Sequence, residues 1–287
     1  MPVVLVTGSS SGIGLATALH FARLGHDVQA SVRTLATAAE LTQAIDAEKL
    51  PIYPVVLDVN DPASVARGVG EILDRAGRVD VLVNNAGIGG GGPIEEVPVD
   101  WARGLFETNY FGAIRTIQAV LPGMRERRCG AIVNVSSIAG RLAVAGHGHY
   151  SAVKHALEAM SEALAQEVLD FGIRVVIIEP GVVVTPIFTK AQRFADPASP
   201  YAAHVHRLLL FYQMQMKMPS QPSDVAEVIY EAVTTAQPKL RYLVGEDARR
   251  LTAGRQRLTD EEYVATGRAM PDSEYLDLMR RRYDFEW

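Results

Sequence analysis

The sequence predicts a doubly wound α/β fold, a mostly parallel seven-stranded sheet with helices on both faces and a small helical extension at the C-terminus. Three observations lead there. Short, β-branched apolar runs alternate with helical patterns along most of the chain, which is the signature of a parallel sheet with crossover helices. A glycine-rich turn joins the first strand to the first helix. At 287 residues, 48% of them hydrophobic, the chain can bury the core that one such domain needs. The expected organisation is a single domain, with a core over residues 1–246, a lid inserted at 186–222 and an extension over 247–287.

The first run, Val3 to Val6, suits a strand covered on both faces. After it come Thr7, Gly8, Ser9, Ser10, Ser11, Gly12, Ile13 and Gly14, then a helical pattern through Leu15, Leu19 and Ala22. That order places a helix N-terminus under a pyrophosphate. Gly8 permits the tight turn, Gly12 the approach of backbone to phosphate, and Gly14 close packing of helix on strand. Gly25 ends the helix and residues 27–32 form the second strand, which finishes at Arg33. An acidic residue near this point holds a ribose 2′-hydroxyl in NAD-binding folds, whereas arginine accommodates a 2′-phosphate. Here the acid is absent and Arg33 is present, with the Ser11 hydroxyl as a second donor, so the expected cofactor is NADP(H) rather than NAD(H).

A helix over 37–48 leads to a third strand, 52–57, which ends at Asp58 and Val59. Asp58 either accepts from an adenine amino group or caps the next helix near Asp61; spacing does not separate the two. That helix covers 62–76 and a fourth strand 79–83, followed by Asn84, Asn85, Ala86, Gly87 and the glycine run 89–92. Adjacent amides and near-bare backbone suit a wall against a flat ribose or nicotinamide, and suit a plain turn equally. A long helix over 100–124 carries Asn109 among Phe106, Tyr110 and Phe111. A buried amide there needs partners, and a satisfied core asparagine is the simplest account.

The next strand, 131–135, opens onto residues 137–154, reading SIAGRLAVAGHGHYSAVK. If Tyr150 opens a helix, Lys154 lies one turn on along the same face. Ser137 stands at a strand's carboxyl end, where open α/β sheets bind ligands. A hydroxyl, a phenol and an ammonium within mutual reach make a proton-transfer site. The sixth strand, 174–178, is followed by Glu179, Pro180, Gly181, Val183 and Thr185.

Residues 186–222 form an unusually long connection, and such loops are commonly lids. Phe188 lies at its start; Tyr201, Val205, Leu208, Leu209 and Tyr212 fall at helical spacing, and Met214, Met216 and Met218 follow. An amphipathic lid with soft side chains suits a bulky apolar ketone, aldehyde or alcohol; packing as core or as a subunit interface is the competing account. Expected substrate contacts are Ile138, His147, His149, Phe188, Tyr201 and Tyr212. No pair of histidines has metal-ligand spacing, so no metal is expected. Of two helical patterns in the extension, one has a capping box at Thr259 and Glu262.

Net charge of −5 offers no footprint for nucleic acid. The single cysteine, Cys129, excludes an intrachain disulfide. With no signal segment or membrane span in view, the expectation is a cytoplasmic protein.

Taken together, Thr7 to Gly14, Asn84 to Gly87, Asn109, Ser137, Tyr150, Lys154 and Pro180 to Thr185 resemble the short-chain dehydrogenase/reductase family over about residues 3–245. The resemblance implies a Rossmann fold and a catalytic tetrad of Asn109, Ser137, Tyr150 and Lys154, with Asn109 holding a water. It also implies adenine contact at Asp58, ribose contact at Asn85, carboxamide contacts at Val183 and Thr185, a seventh strand at 241–244, and a homo-oligomer. Ser137 rather than Ser136 has the family's thirteen-residue offset to the tyrosine. The glycine run departs from the family pattern and is expected to loosen a loop beside the cofactor; Val153 replaces a common serine. Residues 239–248 are similar to 17β-hydroxysteroid and retinol dehydrogenases. Two other readings stand beside an alcohol–carbonyl oxidoreductase: a catalytically silent nucleotide sensor or scaffold, and a nucleotide-sugar epimerase or dehydratase, whose usual glycine spacing differs.

Overall fold

A computed structural model describes residues 1–285; Glu286 and Trp287, the end of the expected extension, lie outside the described residues. Seven strands form one sheet: β1 (Val3–Val6), β2 (Asp27–Val32), β3 (Ile52–Val56), β4 (Val81–Asn84), β6 (Gly130–Val135), β7 (Ile173–Pro180) and β9 (Arg241–Val244), in the order β3-β2-β1-β4-β6-β7-β9. Every pairing is parallel. The two-residue strands β5 (Gly90–Gly91) and β8 (Gln192–Arg193) pair separately.

Side-chain alternation divides the core. Val4 and Val6 of β1 point to one face, Val3 and Leu5 to the other. The first face is covered by α1 (Gly12–Arg23), α2 (Ala39–Glu48) and α9 (Pro222–Thr234), through Phe21, Leu41, Val225 and Ile229. The second is covered by α3 (Pro62–Ala76), α5 (Gly112–Arg127) and α6 (Gly148–Glu167), through Val65, Ile72, Ile117 and Leu164. Pro54, which lacks an N–H, sits in edge strand β3, where the ladder tolerates it. Strand order reverses at β1, which pairs with β2 on one side and β4 on the other. The crevice beyond its carboxyl end is where such sheets take ligands.

Two expectations about elements are corrected. The helix over 100–124 is interrupted: α4 (Val99–Phe106) passes through a π-turn at Glu107–Phe111 before α5. Single π-turns re-aim side chains inside helices, and this one contains Asn109. The extension holds three helices rather than two, α10 (Glu246–Gln256), α11 (Asp260–Val264) and α12 (Asp272–Tyr283). The capping box at Thr259 and Glu262 is present. The missed helix, α10, lacks a side-chain cap at its N-cap, Gly245, so its start had no local mark.

Between β7 and α9 lie α7 (Ile187–Lys190) and α8 (Ala202–Gln215). One side of α8 joins the extension in a third core, with Phe211 and Met214 against Leu251, Tyr275, Met279 and Tyr283. Buried Arg207 donates to the carbonyls of Arg268 and Met270 at 2.6 and 2.7 Å, which fastens the lid helix to the tail. Among the described residues no helix is long and apolar enough to cross a membrane.

Candidate active site

A cleft of about 540 Å³ opens at the carboxyl ends of the strands. Gly8 turns there with φ 70°, and a Cβ on it would lie 2.9 Å from the Ala86 backbone. At Gly12, φ is 59° and a Cβ would meet the Thr185 side chain. Both positions therefore demand glycine. Gly14 lies behind the cleft: a Cβ there would strike the Gly8 carbonyl and the Asn85 amide, so it serves the packing of helix on turn. Thr7 ties the two walls together, its hydroxyl accepting from the N–H groups of Asn85 and Ala86 at 2.9 and 3.0 Å.

Ser10, Ser11, Ile13, Asn85, Ala86, Gly87, Pro180, Gly181, Val183 and Thr185 line the same cleft. Ser11 is the N-cap of α1, yet its side chain makes no capping bond and stays available at the helix N-terminus. Arg33 and Asp58 line the other end with Val59. Arg33 is exposed and, among the described residues, has no ion-pair partner. Asp58 does not cap α3; Asp61 does, accepting from Ala63 N–H, while Asp58 Oδ1 accepts from Asn60 N–H at 3.0 Å. A glycine cradle, a free hydroxyl at a helix N-terminus and an unpaired guanidinium fit a phosphorylated dinucleotide.

Ser137, Tyr150 and Lys154 converge at the centre. Ser137 caps a short 3-10 turn, Ile138–Gly140, its oxygen accepting from Ala139 N–H at 3.1 Å, and is hydrogen-bonded to Tyr150. Ser136 lines the cleft as well, but its buried hydroxyl has no partner, whereas Ser137 is bonded to the phenol. Burial pushes Tyr150 up to about 12, with Ser137 pulling the opposite way. Lys154 is pulled down to about 8 by burial, opposed by Glu158, and its Nζ donates to Val135 O at 2.9 Å. Nζ lies 5.7 Å from the Tyr150 ring centre.

Asn109 is buried, and both ends of its amide engage Ile88: Oδ1 accepts from Ile88 N–H at 2.8 Å and Nδ2 donates to Ile88 O at 2.9 Å. Its side chain holds the loop at Ile88 in place. The glycine run after Ile88 is corrected, from loose to tightly packed. A Cβ on Gly90 would lie 2.2 Å from Gln192 O, and one on Gly92 2.5 Å from Phe194 O. Bare backbone is what lets β5 pair with the lid strand β8.

Ile138, His147, Phe188 and Tyr212 line the substrate end with Val205, Leu208 and Leu209. The His147 ring stacks on Tyr150 at 4.6 Å and 20°, and Tyr212 Oη lies 3.2 Å from its ring nitrogens. Burial lowers His147 to about 4, so it is neutral at ordinary pH. Two expected contacts are corrected. His149, one position before Tyr150, is rotated about 100° around α6 and lies outside the cleft lining. Tyr201 is anchored elsewhere by its hydroxyl, which donates to Glu95. The lid methionines are also misassigned: Met214 belongs to the tail-facing core, and Met216 and Met218 are exposed.

Sequence reasoning missed two supporting groups. Asp247 Oδ2 accepts from Val182 N–H at 2.7 Å, and Ser220 bridges Val182 and Val184 through its backbone, so the loop 181–185 is pinned from both sides. An amide network runs under the site from Thr116 through Asn84 and Asn134 to Ser161. Asn134 inside an apolar strand was the available signal for it.

The family profile described as short chain dehydrogenase matches residues 2–196. Retinol dehydrogenase 8 of Bos taurus is 38% identical over 253 residues, covering 83% of this chain and 80% of its own. A short-chain dehydrogenase structure from Streptomyces avermitilis has a TM-score of 0.81 at 39% identity, covering 93% of this chain and 98% of its own. A gluconate 5-dehydrogenase structure from Burkholderia cenocepacia, in complex with NADP and tartrate, has a TM-score of 0.72 at 25% identity, covering 85% and 93%.

Proposed function

The chain belongs to the short-chain dehydrogenase family and is an oxidoreductase, and from that premise we propose that it uses NADP(H) to interconvert a bulky apolar ketone or aldehyde and its alcohol. The observation that carries this reading is the convergence of Ser137, Tyr150 and Lys154 in the cleft that also holds the glycine cradle and Arg33. When bound, the nicotinamide supplies or accepts the hydride. Everything else is done by the chain's own side chains.

Ser137 donates a hydrogen bond to the substrate oxygen and fixes its position. Tyr150, held protonated by burial, gives its proton to the oxygen as the carbonyl is reduced. Lys154 stabilises the phenolate left behind, and from the turn below it holds the ribose hydroxyls. Neutral His147 stacks on the phenol and, with Tyr212, closes the pocket toward the lid, excluding water. Asn109 keeps the Ile88 loop in place. Val205, Leu208 and Leu209 favour an apolar body in the substrate, which accords with a relative named as a retinol dehydrogenase. Exposed Val99 and Phe111, at the two ends of the stretch formed by α4 and its π-turn, favour assembly into a homo-oligomer. The silent sensor reading loses support from a phenol and ammonium held in working positions.

A panel of ketones graded by size, with NADPH and NADH in parallel, tests the proposal. Tyr150→Phe is expected to lower kcat by at least about 100-fold, the scale of general-acid catalysis; retention of most turnover overturns the mechanism. Arg33→Asp is expected to erase the preference for NADPH, and an unchanged preference overturns the cofactor assignment.

A further inference from the structure

Five charged residues line the cleft among the described residues: Arg33, Asp58, Lys154, Lys190 and Arg193. The reading above uses the first three. Lys190 and Arg193 belong to the lid, are exposed, and have no ion-pair partner among the described residues. Glu95 accepts from the Tyr201 hydroxyl and Glu96 from the Ser199 hydroxyl.

Arg193 has a defined place. Its backbone pairs with Gly91, and a Cβ on Gly91 would touch Gly146 O and His147. The charge of Arg193 acts on the Tyr212 phenol, which is hydrogen-bonded to the histidine stacked on Tyr150. An exposed guanidinium therefore stands at the substrate end of the cleft, which Phe188, Val205, Leu208 and Leu209 also line. Among the described residues, Asp58 is the one carboxylate that lines the cleft.

We propose that the substrate is amphipathic: an apolar chain or ring that carries the reacting carbonyl or alcohol and also a carboxylate or phosphate, which Arg193, with Lys190 beside it, receives at the mouth. The arrangement suits the physics of burial. Apolar length gains by entering the cleft, while an anion left at the rim keeps much of its hydration and still forms charge-assisted hydrogen bonds. This inference rests on the oxidoreductase reading and names the substrate class of that site. A phosphate of the cofactor is the other possible anion for these cations, and the experiment separates the two.

The probes are oxodecanoic acids with the ketone near the acid, at mid-chain and near the far end, each paired with its methyl ester. The wild-type enzyme with NADPH is expected to show kcat/KM about five- to tenfold higher for at least one acid than for its ester. Arg193→Gln is expected to remove that ratio while leaving ester turnover and NADPH affinity within about twofold, the low end of what an exposed ion pair contributes. Equal kcat/KM for acids and esters overturns the inference and leaves the oxidoreductase reading intact. Weaker NADPH binding in Arg193→Gln, with both substrates slowed alike, also overturns it and assigns the cation to the cofactor. If none of these chains is turned over, dissociation constants of acid and ester for the NADPH complex, read from tryptophan fluorescence, decide by the same ratio. Failure of the whole ketone panel is what counts against the oxidoreductase reading itself.

Discussion

At the residue scale, the centre of the site is governed by burial rather than by charge pairing. Tyr150 is raised and Lys154 lowered because both lose water, and the one resolved influence on Lys154 that opposes this comes from Glu158, one turn further along α6. Lys154 is charged below about pH 8 and neutral above it. If its ammonium stabilises the phenolate, the reduction rate falls as pH rises through about 8. Glu158→Gln removes the charge that raises Lys154, so that limb moves to lower pH; a limb unmoved by this substitution dissociates it from Lys154. Tyr150 and Lys154 were legible as a pair because helix periodicity sets them one turn apart on α6, whereas Ser137 was picked out by the offset that the family resemblance implies. Asn109 was legible as a residue but not as a set of contacts, since the π-turn that aims it at Ile88 leaves no periodic trace.

Between elements, one contact shows how the extension reaches the loop 181–185 beside the cleft. Asp247, the second residue of α10, accepts from the N–H of Val182 in the loop 181–185. Gly181 is glycine because any side chain would occupy the space of that carboxylate. Burial raises Asp247, and the backbone N–H groups of Val182 and Ala248 oppose the rise. Asp247→Ala leaves a buried N–H without its partner, at a cost of about 1–3 kcal/mol. We expect lower stability in urea and weaker NADPH binding, the latter read by fluorescence titration. A variant with wild-type affinity would show that the loop does not depend on this latch. Sequence alone placed the core boundary at 246, one residue short of the latch, because the aspartate's partner lies 65 positions away.

Across the whole molecule, the tail supports the lid. Tyr283 is 2% exposed and packs edge-on against Phe211 of α8 at 6.5 Å. Tyr283→Ala is expected to destabilise the protein by about 3–5 kcal/mol, as for other large aromatic truncations. Because α8 has its other side on the cleft, KM for bulky ketones should rise more than kcat falls. Calorimetry and steady-state kinetics on the same preparation check both parts; an unchanged KM in a destabilised variant would separate tail from lid.

Sequence by itself determined the seven strands, their parallel winding, the glycine cradle and the proton-transfer trio. Most are encoded locally, in a period or a turn; the seventh strand and the choice of Ser137 came from the family resemblance. Only the tertiary structure decided that the glycine run is a packed strand, that His149 and Tyr201 miss the cleft, that the lid methionines face away from it, and that Arg193 stands at its mouth. Those facts depend on which backbones meet across long separations, and a side chain's direction within a lid is set by what packs behind it. Here that is a third core built by the tail, with Arg207 fastening α8 to it.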